Sequence, residues 1–385
     1  MKYFLSGLLI SIAFAGLGQS VSSINFKYLY NPQSEIQMII RPVSERDSFR
    51  VFYRIKSTLT GQFLIQWSRN ESYNQRQGGV FVSNDTVHLV NQEAEGFLMA
   101  VKPEKPWLLV AKLTHTESGK SWVFAHQIEK HYPVNGYLEK NGKKVWDNYI
   151  SASSTYKVRG SGSGRTLHFS YYKENFPTPS PPFASKELKM DRFLFPDSIF
   201  KIEPGNTIGP FTKEGLYLAQ EDTVSSEGFS FLVKKEPYPK YNKLADLKGP
   251  LLFVTTQEEN DAIGQAGEDK AKFDKVILEI TGDKERARVF MRNYFKRVET
   301  ANQLFTSFKE GWKTDKGMIY VVFGLPDEVQ LSGQQESWTY KSFGLQFFFN
   351  KTGSVYAPDH YVLIRDKQYT QMWYQTIDLW RKSRF

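Results

Sequence analysis

Short runs in which apolar and polar positions alternate dominate the first third of the chain. Ser48–Ile55, Gln62–Trp67, Thr86–Val90, Gly96–Val101, Trp107–Leu113 and Ser121–Ile128 each place aromatic or β-branched residues at a period near two, as a half-buried strand does. Their spacing predicts an antiparallel β-sandwich-like domain over residues 19–132. Pro133 and the polar stretch Asn141–Lys144 read as a joint. A second β-rich domain is expected over 133–236, with strands at Thr155–Arg159, Thr166–Tyr172, Ser198–Ile202, Gly215–Ala219 and Gly228–Val233. Inside it, Phe176–Phe183 (FPTPSPPF) carries too many prolines for ladder pairing. It reads as an extended surface loop, with a protein-binding PxxP segment as the sharper alternative.

At Pro237 and Pro239 the period changes from strands to helices. Thr255 and Thr256 each have a glutamate three residues on, Glu258 and Glu259, so either can close a capping box. Phe273, Val276, Ile277 and Ile280 form one helical stripe. Gly282 ends that helix and Asp283 caps the next. Ala287, Met291, Tyr294, Phe295, Val298 and Phe305 continue the stripe, opposite a basic face of Arg286, Arg292, Lys296 and Arg297. Met318–Phe323 is too short and too uniformly apolar for its period to decide between strand and helix, although its β-branched and aromatic content favours a strand. Trp338 and Phe343–Phe349 read as a strand hairpin, and Gln371–Trp380 as a final amphipathic helix. The expected fold class is therefore multidomain: all-β regions first, then a C-terminal α/β (α+β) domain over 237–385 with helices and a small antiparallel sheet.

The first residues alter the setting. Lys2 precedes an apolar run from Tyr3 to Phe14, followed by Ala15, Gly16 and Gly18, the arrangement of a secretory signal peptide over residues 1–18. No later stretch has the length and apolarity of a membrane span. The chain has no cysteine, which excludes disulfides, thiolate zinc sites and a lipid-modified N-terminal cysteine. The expected location is the periplasm or the outer membrane, without a lipid anchor. A formal charge of +9 is spread along the chain without a long basic run. In an exported protein it points to acidic lipids, glycans or protein surfaces rather than to nucleic acid.

After the long helical stripe comes Gly311-Trp312-Lys313-Thr314-Asp315, then Lys316–Phe323 and Gly324-Leu325-Pro326-Asp327-Glu328. With the flanking KRVETANQLF and YVVFGLPDEV, this segment resembles the GWxTD domain family of exported proteins of Bacteroidota and related bacteria, most strongly over residues 240–366. The resemblance implies a compartment and a domain type but no reaction. The order of turn, short apolar segment, G-x-P-D and hairpin is also similar in layout to small outer-membrane assembly lipoproteins, in which a helix ends at the G-x-P, and this favours a helix for Met318–Phe323. Physically the motif reads as a corner. Gly311 would leave the helix with a positive φ, Trp312 would bury its ring, and Thr314 or Asp315 would cap a turn. Gly324 and Pro326 would stop the apolar segment.

Catalytic chemistry leaves little trace. The six histidines form no metal-binding motif, and there is no G-x-S-x-G elbow. Gly160–Arg165 (GSGSGR) is followed by a strand rather than the helix N-terminus that phosphate binding needs, so it reads as a hairpin. Asp315, Asp327 and Glu328 are the best acid–base or metal candidates, with capping and solvent-facing roles favoured. No catalytic set, metal site or cofactor is expected. Asp85-Thr86-Val87, Asp197-Ser198-Ile199 and Asp222-Thr223-Val224 match the short pattern at which exported Bacteroidota proteins carry O-glycans, making Thr86, Ser198 and Thr223 candidate modification sites. The expected function is a non-enzymatic scaffold or interaction subunit, whose partner is an envelope or outer-membrane protein. The alternatives are an enzyme, such as a hydrolase, acting on an envelope polymer, and a carbohydrate-binding protein in which tryptophans such as Trp67 stack on sugars.

Overall fold

The computed structural model describes residues 20–75, 79–160, 164–173, 176–185 and 194–385; the expected export signal and Ser161–Ser163 of the glycine-rich segment lie outside them. The first domain is built from β1 (Ile36–Ser44), β2 (Ser48–Ser57), β3 (Gln62–Asn70), β4 (Val80–His88), β5 (Glu93–Val101), β6 (Trp107–His115) and β7 (Ser121–Ile128). They form two antiparallel sheets, in the orders β1-β2-β5 and β4-β3-β6-β7, a seven-stranded sandwich of immunoglobulin-like layout. The alternation read from the sequence is the cause. In β2, Phe49, Val51, Tyr53 and Ile55 point inward, while the residues between them are more accessible. They meet Phe63, Ile65, Trp67, Leu109, Leu113 and Phe124 of the other sheet. Each such side chain contributes roughly 1.5–3 kcal/mol on full burial.

The second domain contains β8 (Tyr137–Lys140), β9 (Lys143–Lys144), β10 (Tyr149–Ser151), β11 (Tyr156–Arg159), β12 (Leu167–Tyr172), β13 (Ser198–Ile202), β14 (Thr207–Ile208), β15 (Gly215–Gln220) and β16 (Phe229–Lys234). A four-stranded sheet, β14-β11-β8-β9, faces a five-stranded one, β10-β16-β15-β12-β13. Val158, Leu167, Phe169, Tyr217 and Phe231 lie in the core between them. The polar stretch expected as a joint is instead a hairpin inside this domain. Lys140 pairs with Lys143, and Asn141 and Gly142 both take positive φ, at 53° and 77°, as a two-residue type I′ turn requires.

The C-terminal domain starts with α1 (Leu244–Leu251), α2 (Gln257–Ala266), α3 (Lys270–Thr281), α4 (Lys284–Phe305) and α5 (Asp315–Phe323). The sheet β17 (Glu328–Ser332), β18 (Gln335–Tyr340), β19 (Leu345–Lys351) and β20 (Tyr361–Leu363) follows, and α6 (Thr370–Arg381) closes the domain. Thr256 and Glu259 make the capping box of α2, whereas Thr255 bonds back to the Leu251 carbonyl. Gly282 ends α3 in the left-handed conformation and Asp283 caps α4. Met318–Phe323 belongs to a helix, and all nine residues of α5 are buried. A helix covered on every side has no apolar stripe, which explains the ambiguity of its sequence. The molecule is thus multidomain and mostly β, with the helices gathered around a small antiparallel sheet at the C-terminal end. Among the described residues no helix is long and apolar enough to cross a membrane.

Two segments join the domains. Asn25 takes the place of a strand residue beside β17, its amide donating to the Asp327 carbonyl and its oxygen accepting from Val329 N–H. Phe26 N–H donates to the Val329 carbonyl, and the Tyr30 ring lies against Phe305 and Trp338. The FPTPSPPF loop lies against the C-terminal domain. Its carbonyls at Pro177, Ser180 and Pro182 accept from Lys309, Arg365 and the Asp366 N–H. Phe176 packs on Phe308 and Phe183 on Trp373. The loop therefore takes part in an internal contact.

Candidate functional site

Gly311 follows α4 and opens a single 3-10 turn. Its φ is not positive, contrary to expectation. The need for glycine is steric, because a Cβ here would lie 2.0 Å from the Ala301 carbonyl oxygen. Trp312 is 2% exposed and sits against Gly249 of α1, where a Cβ would come within 2.9 Å of the indole. Its Nε1–H donates to the Tyr241 hydroxyl at 2.9 Å, and Tyr241 in turn donates to Glu310. The backbone N–H of Trp312 donates to Oδ1 of the buried Asn302. Thr314 caps α5 by accepting from Gly317 N–H, and donates to the Gly311 carbonyl.

The charged residues around this turn are also engaged. Glu310 lies 2.8 Å from both Lys234 and Lys313. Burial pushes its carboxyl up, but the two ammonium groups outweigh this and hold it at about 2. Asp315 makes a two-pronged pair with Arg365 (2.6 and 3.3 Å) and accepts from Leu363 N–H at 2.8 Å. The next residue, Lys316, is paired with Glu336 at 2.6 Å; both side chains are buried, and Glu336 also accepts from Trp338 Nε1.

At the other end of α5, Gly324 has a φ of 83° and its carbonyl accepts from the Tyr340 hydroxyl. Pro326 is buried. Asp327 accepts from Lys341 N–H, and Glu328 pairs with the exposed Lys341 ammonium. The nine residues of α5 separate Asp315 from Asp327, about 13 Å of helix axis. The two carboxylates are not brought together, and among the described residues no group of three or more candidate ligands can hold a metal ion.

A cavity of about 330 Å³ lies where the three domains meet. Arg41 and Tyr132 border it from the first domain and its linker, Lys144 and Asn148 from the second, and Lys316 and Asp359 from the C-terminal domain. Asp359 keeps an accessible side chain in the interior because it borders this space. Burial raises its carboxyl, but Lys351 at 2.9 Å, together with the charges of His126 and Arg41, outweighs that and holds it well below the usual range. Burial pushes His126 and His360 down to about 4.

Residues 215–382 match the family model described as "GWxTD domain". The C-terminal part of this chain is a GWxTD domain. No curated protein matches the sequence. Among solved structures, trypsin-activated alpha-2-macroglobulin from Escherichia coli aligns with a TM-score of 0.19 at 8% identity, covering 52% of this chain and 16% of that one. A Salmonella alpha-2-macroglobulin mutant aligns with a TM-score of 0.19 at 10% identity, covering 51% and 16%. The chain spans about one sixth of either protein.

Within the GWxTD domain the structure brings Gly311, Trp312, Thr314 and Asp315 into one buried corner, and leaves Asp327 and Glu328 at the far end of α5. Arg297, which the helical period places on the basic face, is folded inward. It donates to the Val322 carbonyl and lies over Trp380 and Phe385. Outside the GWxTD domain, Trp67 is 1% exposed in the first core and offers no sugar platform. Thr86, Ser198 and Thr223 are all exposed, as a modified residue must be. Sequence reasoning passed over Lys144, which it placed in a joint. Asn141-Gly142 flanked by strand-like residues was the signal available. It also passed over the exposed apolar rim of the first sandwich, Val80, Phe81 and Val82 on β4 with Phe97, Met99 and Val101 on β5. These belong to the edge strands of the two facing sheets.

Proposed function

We propose that this is an exported cell-envelope protein acting as a non-enzymatic interaction or scaffold subunit, and that it takes hold of another periplasmic or outer-membrane protein along the β4–β5 rim. The observation that carries this reading is the pair of strand edges, unpaired among the described residues, with six exposed apolar side chains. Edge strands of natural proteins are normally short, charged or covered; β4 runs nine residues with seven of them exposed. Such an edge can accept an extended segment as an added strand, with the backbone giving affinity and alternate side chains giving selectivity. Arg69, Lys102 and Lys105 border the groove beside the rim, with Glu104 as the one acid there. An extended partner segment with alternating apolar and acidic residues suits that charge. The Lys2, Tyr3–Phe14 and Ala15–Gly18 pattern supports export. The resemblance to exported Bacteroidota proteins fits the same compartment.

The test is proximity crosslinking with mass spectrometry in the native host, comparing wild type with Phe81→Ser/Met99→Ser. One defined envelope partner, lost in the variant while the protein stays folded and abundant, is the expected result. Recovery of no partner by the wild type would transfer the weight to the enzyme and glycan-binding readings.

A further inference from the structure

Two of the cations that border the central cavity have no ion-pair partner among the described residues, although Asp359, paired with Lys351, also feels the charge of Arg41. The Lys316–Glu336 and Lys351–Asp359 pairs are internally compensated at 2.6 and 2.9 Å. Arg41 and Lys144 are different. Among the described residues no carboxylate oxygen lies within ion-pair distance of either. Arg41 donates from Nη1 to the neutral Asn148 amide oxygen at 2.7 Å, and its Nε is buried without a hydrogen-bond partner. Lys144 has its ammonium over the rings of Tyr137 (3.8 Å), Phe52 (4.7 Å) and Trp146 (5.8 Å). The carboxylates nearest to it electrostatically are occupied elsewhere, Glu139 by Arg159 and Glu95 by Trp146 Nε1. Asp147 also borders the cavity, and acts on Arg54 rather than on Lys144.

Leaving two like charges close together inside a protein is costly, and the cost is visible here. Burial, and after it the charge of Arg41, pushes the Lys144 ammonium well down. A fold that keeps such a pair beside an open volume is arranged for a counter-charge that arrives from outside. The rest of the lining supplies the remainder of a binding site. Ser307 Oγ is buried with no partner, and Tyr132, Phe231, Tyr356 and Tyr361 form aromatic walls. At about 330 Å³ the space is at the small end of organic-ligand sites.

We propose that the cavity between the three domains binds a small organic anion, its carboxylate or phosphate head held by Arg41 and Lys144 and its apolar body resting on the tyrosine and phenylalanine walls. This site is independent of the β4–β5 rim. Because its residues come from all three domains, the anion favours the arrangement in which they are assembled.

The test uses the full mature chain with benzoate and inorganic phosphate as anionic probes and benzylammonium as a cation of benzoate's shape, read by calorimetry and by Tm. Saturable binding of benzoate or phosphate with a rise in Tm, and none with benzylammonium, is expected. Lys144→Met and Arg41→Gln should each weaken that binding about 10-fold or more, the scale of a lost charge-assisted hydrogen bond. Lys144→Met should also raise the Tm of the ligand-free protein, since it removes an uncompensated charge. If Arg41→Gln does not fold, Lys144→Met decides alone. No saturable binding of either anion, equal affinity in Lys144→Met, or binding of benzylammonium as strong as that of benzoate would each overturn the proposal.

Discussion

Trp312 is 2% exposed and Val80 is 72% exposed, and that contrast holds for the regions around them. In the GWxTD corner each motif side chain has a stated partner: Trp312 has Tyr241, Thr314 has Gly317, and Asp315 has Arg365. Along the β4–β5 rim, apolar side chains face outward and two strand edges carry no neighbour among the described residues. The residues that make the family recognisable therefore hold the fold together. The surface that departs from the rules of a self-contained protein has no recognisable motif. Signature residues and working surface are separate parts of this molecule.

The comparison can be broken most forcefully at the corner. Trp312→Ala should cost about 3–5 kcal/mol, as loss of a fully packed large aromatic does, measured by urea unfolding; a loss below 1 kcal/mol would mean that the corner does not hold the domain. Asp315→Asn should cost about 3 kcal/mol by taking one charge out of the buried Asp315–Arg365 pair, with unfolding of the wild type at the same pH as the reference.

Glu310 gives a pH-dependent version of the same test. Its carboxyl is held at about 2 in the fold, against an ordinary value of 4.5. Its contribution is therefore complete above about pH 4.5 and is lost as pH falls toward 2. Glu310→Gln should lower stability at neutral pH by on the order of 2 kcal/mol and flatten the pH dependence between 4.5 and 2, as read by Tm across that range. An unchanged slope in the variant would assign acid unfolding to other groups.

The smallest expected effect sharpens the contrast from the other side. Phe81→Ser/Met99→Ser should shift stability by no more than about 0.5 kcal/mol, because exposed positions contribute little. Capture of the partner should nevertheless disappear. A variant that loses several kcal/mol would show that these side chains pack in the isolated protein, and the rim would then no longer count as a free surface.

How much of this could be read beforehand follows from the physics of each element. Strands β2 and β3 were legible because one face of each is buried and the other more accessible, which writes a period of two into the sequence. The caps of α2 and α4 were legible because capping is local chemistry. β1 was not assigned, since Pro42 interrupts IQMIIRPVS and demotes such a run. α5 was ambiguous because complete burial erases its period. The motif residues were found by their resemblance, but their roles depend on partners far away in the chain: Asp315 on Arg365, Trp312 on Tyr241 and Gly249. Arg41 and Lys144 had no local signal as a pair, because about a hundred residues separate them in the sequence and only the meeting of the first two domains makes them neighbours.

The Asn25 clasp on β17 carries a further implication for how the protein is made. Its bonds connect residues 302 and 304 positions apart, so the edge of the last sheet is finished by the first described residues. A protein assembled from three sequential modules would normally complete each one as it emerges. Here the Asn25 segment cannot make these bonds until β17 has been delivered. Anything fused close to that leading segment would be felt in the GWxTD domain, at the opposite end of the sequence.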